Sequence, residues 1–202
     1  TIQSQVDVKS GKTFPAMLRS CLRSDPDVIM IGEIRDEATL EIAMKIGLTG
    51  HFVLSCLHTS NVASSLDRLM ELAESPHILA TSLLALCNQR LLRKPCSACS
   101  EDYKPTTGEL KVLGIKETQD VTFKRAVGCD ECHQTGYKGR VAIYEILQLD
   151  KEIKDLIVAE DFRSIDRYLH KNLEGFDQKA FKYLKKGFTT MDEVSRVLCD
   201  LL

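Results

Sequence analysis

Two short, mostly apolar runs constrain the fold of this 202-residue chain more than any other feature. The first covers residues 28–31 and follows an Asp-Pro-Asp breaker, and the second covers residues 52–57 and follows a glycine and a histidine. Apolar runs of about four to eight residues between turn signals are typical of strands buried on both faces of a parallel sheet. Because amphipathic helices are predicted around both runs, residues 1–93 are predicted to form an α/β fold in strand–helix–strand–helix order.

Capping residues indicate where the predicted helices begin. Asp36 is placed to cap the helix between the two strands, and Ser60 or Asn61 is placed to start the helix after them. Ser75 precedes a proline at the first helical position, so a further helix is predicted from there to about residue 93.

The character of the chain changes after the α/β part. Residues 94–140 show little periodicity and are rich in cysteine, glycine, lysine and glutamate, and they are predicted to form a small lobe held between two pairs of cysteines. Residues 141–202 begin with a strand-like run and continue as helices, the last of which is predicted to carry a capping box of Thr190 and Glu193. The sequence therefore predicts three parts: residues 1–93, the lobe, and a C-terminal helical subdomain.

Charge and hydropathy narrow the classes of function. With 27 lysines and arginines against 29 aspartates and glutamates, the net charge is −2 at pH 7, so a general surface for nucleic acid is not favoured. No apolar run approaches the roughly 20 residues of a membrane-spanning helix, and no basic and apolar leader is visible. Because the chain opens on Thr1 inside a strand-like fragment, we expect the sequence to be a piece of a longer protein.

The eight cysteines are more informative than the overall composition. Four form two Cys-x-x-Cys pairs, Cys96 with Cys99 and Cys129 with Cys132, and each pair lets two thiolates bind one ion from a tight turn. Two such pairs complete a tetrahedral zinc site from protein ligands alone, so the predicted zinc ion is structural and not hydrolytic. Without a signal peptide, a disulfide framework is the weaker interpretation. The other four stand singly in apolar stretches and are predicted in the core: Cys21, Cys56, Cys87 and Cys199.

The ends of the two predicted strands carry the candidate catalytic residues. Gly32 and Glu33 follow the first strand, and ligands of parallel sheets bind at the carboxyl ends of the strands. A carboxylate there can bind Mg²⁺ through water or orient an attacking water, but the same Glu33 can equally form a plain salt bridge with Arg35. His58 follows the second strand and is expected close to Glu33, where an imidazole can contact a phosphate. His51 lies at the entry end of that strand, where a histidine is more often a surface or core residue with its hydrogen bonds satisfied.

A phosphate-binding loop, Gly-x-x-x-x-Gly-Lys-Ser/Thr, is the usual partner of such a strand end. Residues 10–13 match only the last part of this motif, because Val6 stands where the leading glycine is required. The sequence therefore predicts that residues 11–13 are a turn before a helix over residues 12–24.

Residues 22–36 resemble the signature of the ATPases of type II secretion and type IV pilus assembly, and residues 48–59 resemble the histidine box of that family. Residues 128–140, around the second cysteine pair, fit the same family, and so does the turn at residues 11–14. The resemblance spans nearly the whole chain. It departs from the family at the edge of the histidine box, where Cys56 stands in place of the usual threonine.

The resemblance implies a cytoplasmic, hexameric motor with a RecA-like nucleotide-binding domain. Such a motor uses ATP and Mg²⁺ to drive pilus or pseudopilus assembly, and it reaches the inner membrane through the proteins of a membrane platform. By resemblance, Gly32 and Glu33 match the atypical Walker B pair, and His51 and His58 match the histidine box, with His58 nearer the γ-phosphate. The tetracysteine lobe is typical of the assembly and secretion members, whereas retraction motors generally lack it.

The family's Walker A loop and arginine-bearing acidic box are expected upstream of the sequence given. The isolated chain is therefore expected neither to bind ATP tightly nor to hydrolyse it. The rival interpretation is a zinc-stabilised, non-enzymatic interaction module. This interpretation assigns no function to Gly32 and Glu33 at the end of the first strand. The motifs do not distinguish secretion from pilus assembly, because both branches share them.

Overall fold

A computed structural model describes residues 2–114 and 121–198 of the chain. Contacts divide the chain into two compact units, Thr1–Leu86 with Leu147–Lys171, and Cys87–Ile146 with Asn172–Leu202. The three-part division predicted from composition uses other boundaries and stays a prediction. Within the described ranges, every helix is too short or too polar to cross a membrane.

Helices and strands alternate in the first part of the chain, and helices dominate the last. The α-helices of the described residues are α1 (Phe14–Cys21), α2 (Glu37–Leu48), α3 (Val62–Leu72), α4 (Pro76–Ser82), α5 (Thr107–Val112), α6 (Lys151–Val158), α7 (Phe162–Asn172), α8 (Phe176–Lys185) and α9 (Met191–Leu198). The strands are β1 (Val28–Ile31), β2 (Phe52–Ser55), β3 (Ala85–Pro95), β4 (Glu101–Tyr103), β5 (Phe123–Arg125) and β6 (Tyr137–Gln148). The mixed α/β class and the strand–helix–strand–helix order are confirmed.

β1 and β2 form a parallel pair in which Val28 lies opposite Phe52 and Ile31 lies opposite Ser55. Ile29 and Ile31 are buried against α1 and α2, whereas Val28 is 55% exposed. Successive side chains of a strand point to opposite faces, and in the described ranges helices cover only one of these two faces. The prediction that both strands are buried on both faces is therefore wrong, and β2 also ends two residues earlier than predicted.

The predicted helix starts are confirmed by their caps. Asp36, Asn61 and Ser75 each accept a hydrogen bond from the backbone N–H three residues further on, at 2.8, 2.8 and 3.4 Å. The prediction that the last of these helices continues to residue 93 is wrong, because α4 ends at Ser82 and β3 begins at Ala85.

β3 pairs with β6, which contains the strand predicted over residues 141–146. Along β3, buried Leu86, Asn88 and Leu92 alternate with more exposed neighbours, which is the period of a strand and not of a helix. The pairing partner lies far along the chain, so a local cap signal at Ser75 does not show where the helix stops.

The turn before α1 is confirmed. The Lys12 N–H donates to the Asp7 carbonyl at 2.9 Å, and Gly11 adopts a φ of +78°. Thr13 caps α1 by accepting a hydrogen bond from a backbone N–H at 3.4 Å. This glycine and lysine therefore form a tight turn and not a phosphate loop.

The second unit has its own core, built from β3, β5, β6, α5, α8 and α9. β4 and β5 are antiparallel, with Tyr103 opposite Phe123, and Phe123 is fully buried. The fully buried members of this core are Leu92, Phe123, Ile143, Ala180, Leu184, Val194 and Leu198. The helices predicted after Asp150 are confirmed as α6 to α9, and Asp150 itself caps α6.

The single cysteines do not all lie in the core. Cys56 and Cys87 are exposed and Cys21 is half-buried, so the prediction of core positions is wrong for the first two. Cys87 lies on the outward face of β3, and Cys56 follows the end of β2. Cys199 lies outside the described residues.

Candidate functional site

The carboxyl ends of β1 and β2 bring Glu33 and His58 together. Because the two strands are parallel and in register, the loops that follow them leave the same edge of the pair. The backbone N–H of Ile34 donates to the carbonyl of Cys56 at 3.1 Å and joins these loops. His58 Nε2 lies 2.9 Å from Glu33 Oε2, which is hydrogen-bond distance.

Arg35 occupies the other carboxylate oxygen of Glu33, with its NH2 nitrogen 2.7 Å from Oε1. The Glu33 side chain is 21% exposed, whereas the side chains of Arg35 and His58 are 72% and 81% exposed. The hydrogen bond from Arg35 lowers the pKa of Glu33, and the contact with His58 adds to this effect against the opposing effect of burial. The plain salt bridge and the histidine contact therefore occur together, and they hold Glu33 in its ionised form.

Open space surrounds the backbone of Gly32 on the side where a side chain would stand. A Cβ at this position would meet no atom within 4 Å among the described residues. The backbone between β1 and Glu33 is therefore accessible to a bound molecule.

His51 lies at the opposite end of β2 from His58. Its Nδ1 is 3.2 Å from Thr49 Oγ1, and its ring is half-buried. At a rise of about 3.3 Å per residue, the two histidines are separated by on the order of 20 Å along an extended chain. The structure therefore brings only His58 to Glu33.

A cavity of about 570 Å³ lies beside His58, between the loops after both strands and α3. Arg35, Ser64 and Arg68 are among the residues that line it. Arg68 donates to the Arg35 carbonyl at 3.4 Å and pairs with Glu71 at 3.2 Å. Sequence reasoning missed Arg68, because its place on α3 resembles any solvated helix position until the fold brings α3 to the loop after β1.

The two cysteine pairs converge in the second unit. The four Sγ atoms of Cys96, Cys99, Cys129 and Cys132 all lie within 4.8 Å of one another. Three of the separations are 4.0 Å (Cys96–Cys129), 3.9 Å (Cys99–Cys132) and 3.8 Å (Cys129–Cys132). A tetrahedral zinc ion with Zn–S bonds of about 2.3 Å requires sulfur atoms roughly 3.8 Å apart, so the cluster has the spacing of a zinc site.

Backbone N–H groups point at two of these sulfur atoms. Cys132 Sγ accepts from the N–H groups of Cys129 and Gly136 at 3.2 and 3.1 Å, and Cys99 Sγ accepts from Gly128 at 3.3 Å. Burial opposes ionisation of Cys132, but these N–H donors outweigh it and lower its pKa to about 6. Burial, only partly offset by Gly128, raises the pKa of Cys99 to about 11. The donors thus favour a thiolate at Cys132, which is the form that binds a metal.

Two glycines let the second cysteine loop close. Gly136 has a φ of +74°, and a Cβ there would lie 2.8 Å from the Cβ of Ala126. Gly128 has a φ of +128°, and a Cβ there would lie 3.0 Å from the carbonyl oxygen of Gln134. The Gly136 carbonyl also accepts from the Cys96 N–H at 2.9 Å, which ties the first pair to the second.

Solved structures with a similar fold define the fold class of this chain. The ATPase DotB of Legionella pneumophila matches with a TM-score of 0.63 and 22% identity, over 93% of this chain and 42% of that chain. The pilus retraction motor PilT, solved with bound ADP, matches with a TM-score of 0.60 and 24% identity, over 92% of this chain and 43% of that chain. The fold is therefore that of an ATPase domain.

The chain belongs to the family described as "Type II/IV secretion system protein", whose family model matches residues 1–196. It is 41% identical to type II secretion system protein E of Pseudomonas aeruginosa, over 96% of this chain and 39% of that protein. It is 39% identical to the type IV pilus assembly ATPase PilB of Thermus thermophilus, over 95% of this chain and 22% of that protein. The family resemblance is thus confirmed, and the chain spans about two fifths or less of the length of these relatives.

Proposed function

We propose that this chain is the C-terminal part of a hexameric, cytoplasmic ATPase that powers type II protein secretion or type IV pilus assembly. The observation that carries the proposal is the contact between Glu33 and His58 at the carboxyl ends of two parallel strands, in a member of the Type II/IV secretion system protein family. The family membership and the names of relatives such as PilB support ATP as the nucleotide, and secretion or pilus assembly as the process.

In this proposal the β1–β2 unit belongs to a RecA-like nucleotide-binding domain. Gly32 and Glu33 form the Walker B pair, and His58 is the histidine of the box that faces the nucleotide. His51 is assigned to the same box by resemblance only, since it lies at the far end of β2. ATP and Mg²⁺, when bound, supply the reacting phosphoryl group and neutralise its charge.

The chemistry of Glu33 follows from its ionised state. A carboxylate held ionised at neutral pH accepts hydrogen bonds, so it suits a water bound to Mg²⁺ or a water that attacks a phosphoryl group. His58 Nε2 lies within reach of the same carboxylate and is mostly exposed, which leaves its ring accessible to a phosphate. Arg35 keeps the carboxylate in place by its contact with the second oxygen.

The metal part of the proposal is a structural zinc ion held by Cys96, Cys99, Cys129 and Cys132. Four buried or half-buried sulfur ligands at tetrahedral spacing fit zinc and leave no position for a substrate. The proposed role is therefore to keep the lobe of residues 94–140 folded.

The proposed partners are proteins: further copies of the same chain in a hexamer and components of an inner-membrane platform. The nearly balanced charge of the chain does not favour nucleic acid as a partner. A membrane association of the intact protein is proposed to run through these partners.

The test is ATP turnover by the intact protein and by a Glu33→Ala variant. Turnover should be abolished while nucleotide binding is kept, because the carboxylate acts on the reaction and does not anchor the nucleotide. Glu74→Ala, an exposed acid after α3, is the matched control and should turn over normally. Unchanged turnover in Glu33→Ala would contradict the role of Glu33.

A second measurement separates the motor from a zinc-stabilised interaction module. The intact protein should form a hexamer that depends on nucleotide, and the isolated 202-residue chain should be inactive because its sequence contains no phosphate-binding loop. A clear ATPase rate from the isolated chain would contradict the second expectation.

A further inference from the structure

The fully buried carboxylate of Glu193 lies at the start of α9. Its Oε1 accepts from the backbone N–H of Arg93 at 2.9 Å and from the NH2 group of Arg196 at 2.6 Å. Its Oε2 accepts from the Nε groups of the same two arginines, both at 2.8 Å. The predicted capping box is therefore only half formed: Thr190 Oγ1 accepts from the Glu193 N–H at 3.3 Å, but the carboxylate binds β3 instead.

These bonds fix the segment that leads into the first cysteine pair. Arg93 stands three residues before Cys96, and Glu193 holds both its backbone and its guanidinium. Thr189, just before α9, adds a hydrogen bond from its hydroxyl to the Arg93 carbonyl at 3.1 Å. α9 therefore determines where the end of β3 lies.

The Arg93 guanidinium also joins the second cysteine pair. It lies 4.0 Å from the centre of the Tyr137 ring, and the Tyr137 hydroxyl is 2.9 Å from Thr190 Oγ1. Tyr137 directly follows Gly136, whose N–H binds Cys132 Sγ and whose carbonyl binds the Cys96 N–H. One network thus runs from α9 through Arg93 and Tyr137 to both cysteine loops.

Of the three charged groups only the Glu193 carboxylate is fully buried, since the side chains of Arg93 and Arg196 are 41% and 57% exposed, and a buried carboxylate is unfavourable unless it is paired. Such a network favours a single arrangement of the chain. In that arrangement Arg93, near the end of β3, lies against Tyr137, at the start of β6. Arg93 leads into the first cysteine pair and Tyr137 follows the second, so this arrangement bears on the distance between the two pairs.

We infer that Glu193 is a positioning residue for the metal site, which it holds at binding spacing through Arg93 and Tyr137 without contacting the metal. The inference rests on the proposed zinc site. Because coupling between two binding events is reciprocal, zinc binding also strengthens the docking of α9.

The first test measures zinc affinity of the full 202-residue chain by competition with a chromophoric chelator. Groups bonded directly to metal ligands typically contribute about 10- to 100-fold in affinity, so Glu193→Gln, which acts on the ligands only through Arg93 and Tyr137, should weaken zinc binding by up to about tenfold. Asp192→Asn, the exposed neighbour on α9, should leave the affinity unchanged.

A core variant controls for a general loss of stability. Leu184→Ala opens a cavity in the same core without touching the network, so its zinc affinity shows what destabilisation alone does. If Glu193→Gln weakens zinc binding no more than Leu184→Ala does, the positioning role is wrong.

A measurement on the unaltered chain covers the case in which Glu193→Gln fails to fold. Hydrogen exchange is followed with zinc bound and after chelation. Removal of zinc should speed exchange in α9 more than in α8, which packs in the same core. Equal effects on both helices would overturn the coupling while leaving the zinc site in place. A chain that binds no zinc would overturn the metal site itself and this inference with it.

Discussion

Glu33 and His58 meet at 2.9 Å although 25 residues separate them along the chain. The parallel register of β1 and β2 creates this contact, because it places the ends of both strands at one edge. The contact is built from loop residues on a rigid pair of strands, which is a common arrangement for side chains that act on a ligand.

Arg35 should control the ionisation of Glu33. We expect the pKa of the Glu33 carboxyl to lie below its ordinary value of 4.5, and to rise in Arg35→Ala because the strongest stabilising hydrogen bond is lost. Carboxyl carbon shifts in NMR, followed through an acid titration of the 202-residue chain, measure this directly. The same titration of the unaltered chain provides the reference. A Glu33 pKa that does not move in Arg35→Ala would contradict the ion pair.

Glu193 should make the stability of the second unit depend on pH. Arg196 and Arg93 outweigh the effect of burial and lower the pKa of Glu193 to about 2, against 4.5 for the ordinary carboxyl. A group with a lowered folded pKa stabilises the protein above its unfolded pKa, so the free energy of unfolding should fall as the pH drops from about 4.5 towards 2. Urea unfolding of the zinc-free chain at several pH values tests this.

The matched comparison for that titration is Glu193→Gln, which cannot ionise at this position. Its unfolding free energy should be lower at neutral pH and should lose this part of the pH dependence. An identical acid dependence in both chains would assign the effect to other carboxylates.

Zinc should bind once per chain and require the clustered cysteines only. Cys132→Ser should abolish tight binding, because it removes a ligand whose Sγ accepts hydrogen bonds from two backbone N–H groups. Cys87→Ser, at an exposed cysteine of β3, should bind about one zinc like the parent chain. Elemental analysis gives the stoichiometry, and retained binding in Cys132→Ser would rule out a four-cysteine site.

Gly136 and Gly139 form a natural pair for testing backbone strain. Both have a positive φ, of +74° and +79°, but only Gly136 is also crowded, by the Cβ of Ala126. Gly139→Ala should cost about 1–2 kcal/mol in unfolding free energy for the left-handed conformation alone. Gly136→Ala should cost more, since the overlap adds to that strain, and should also weaken zinc binding. Denaturant unfolding compares the two, and equal costs would show that the crowding is relieved.

Sequence reasoning succeeded where the deciding interaction is local. Asp36, Asn61 and Ser75 cap helices through bonds to the third residue after them, so the residue type and its position suffice. The cysteine cluster was predictable for a similar reason, because each pair chelates from one turn and only the meeting of the two pairs depends on the fold.

Sequence reasoning failed where a distant segment decides. The end of α4 and the start of β3 depend on pairing with β6. Glu193 follows the pattern of a local cap, but its carboxylate binds Arg93, a hundred residues earlier in the chain, and not the backbone at the start of α9. Burial of β1 and β2 was overestimated because an apolar run shows that a side chain can be buried, and not which face is covered.

The uncovered face of the β1–β2 pair has a practical consequence for anyone who handles the chain in solution. Val28, Met30, Phe52 and Leu54 are 55%, 71%, 49% and 45% exposed, and the parallel register sets them side by side as one apolar patch. Such a patch promotes association between molecules as the concentration rises. Met30→Lys should therefore improve the colloidal behaviour of the isolated chain at little cost in folding, and light scattering against concentration would show it.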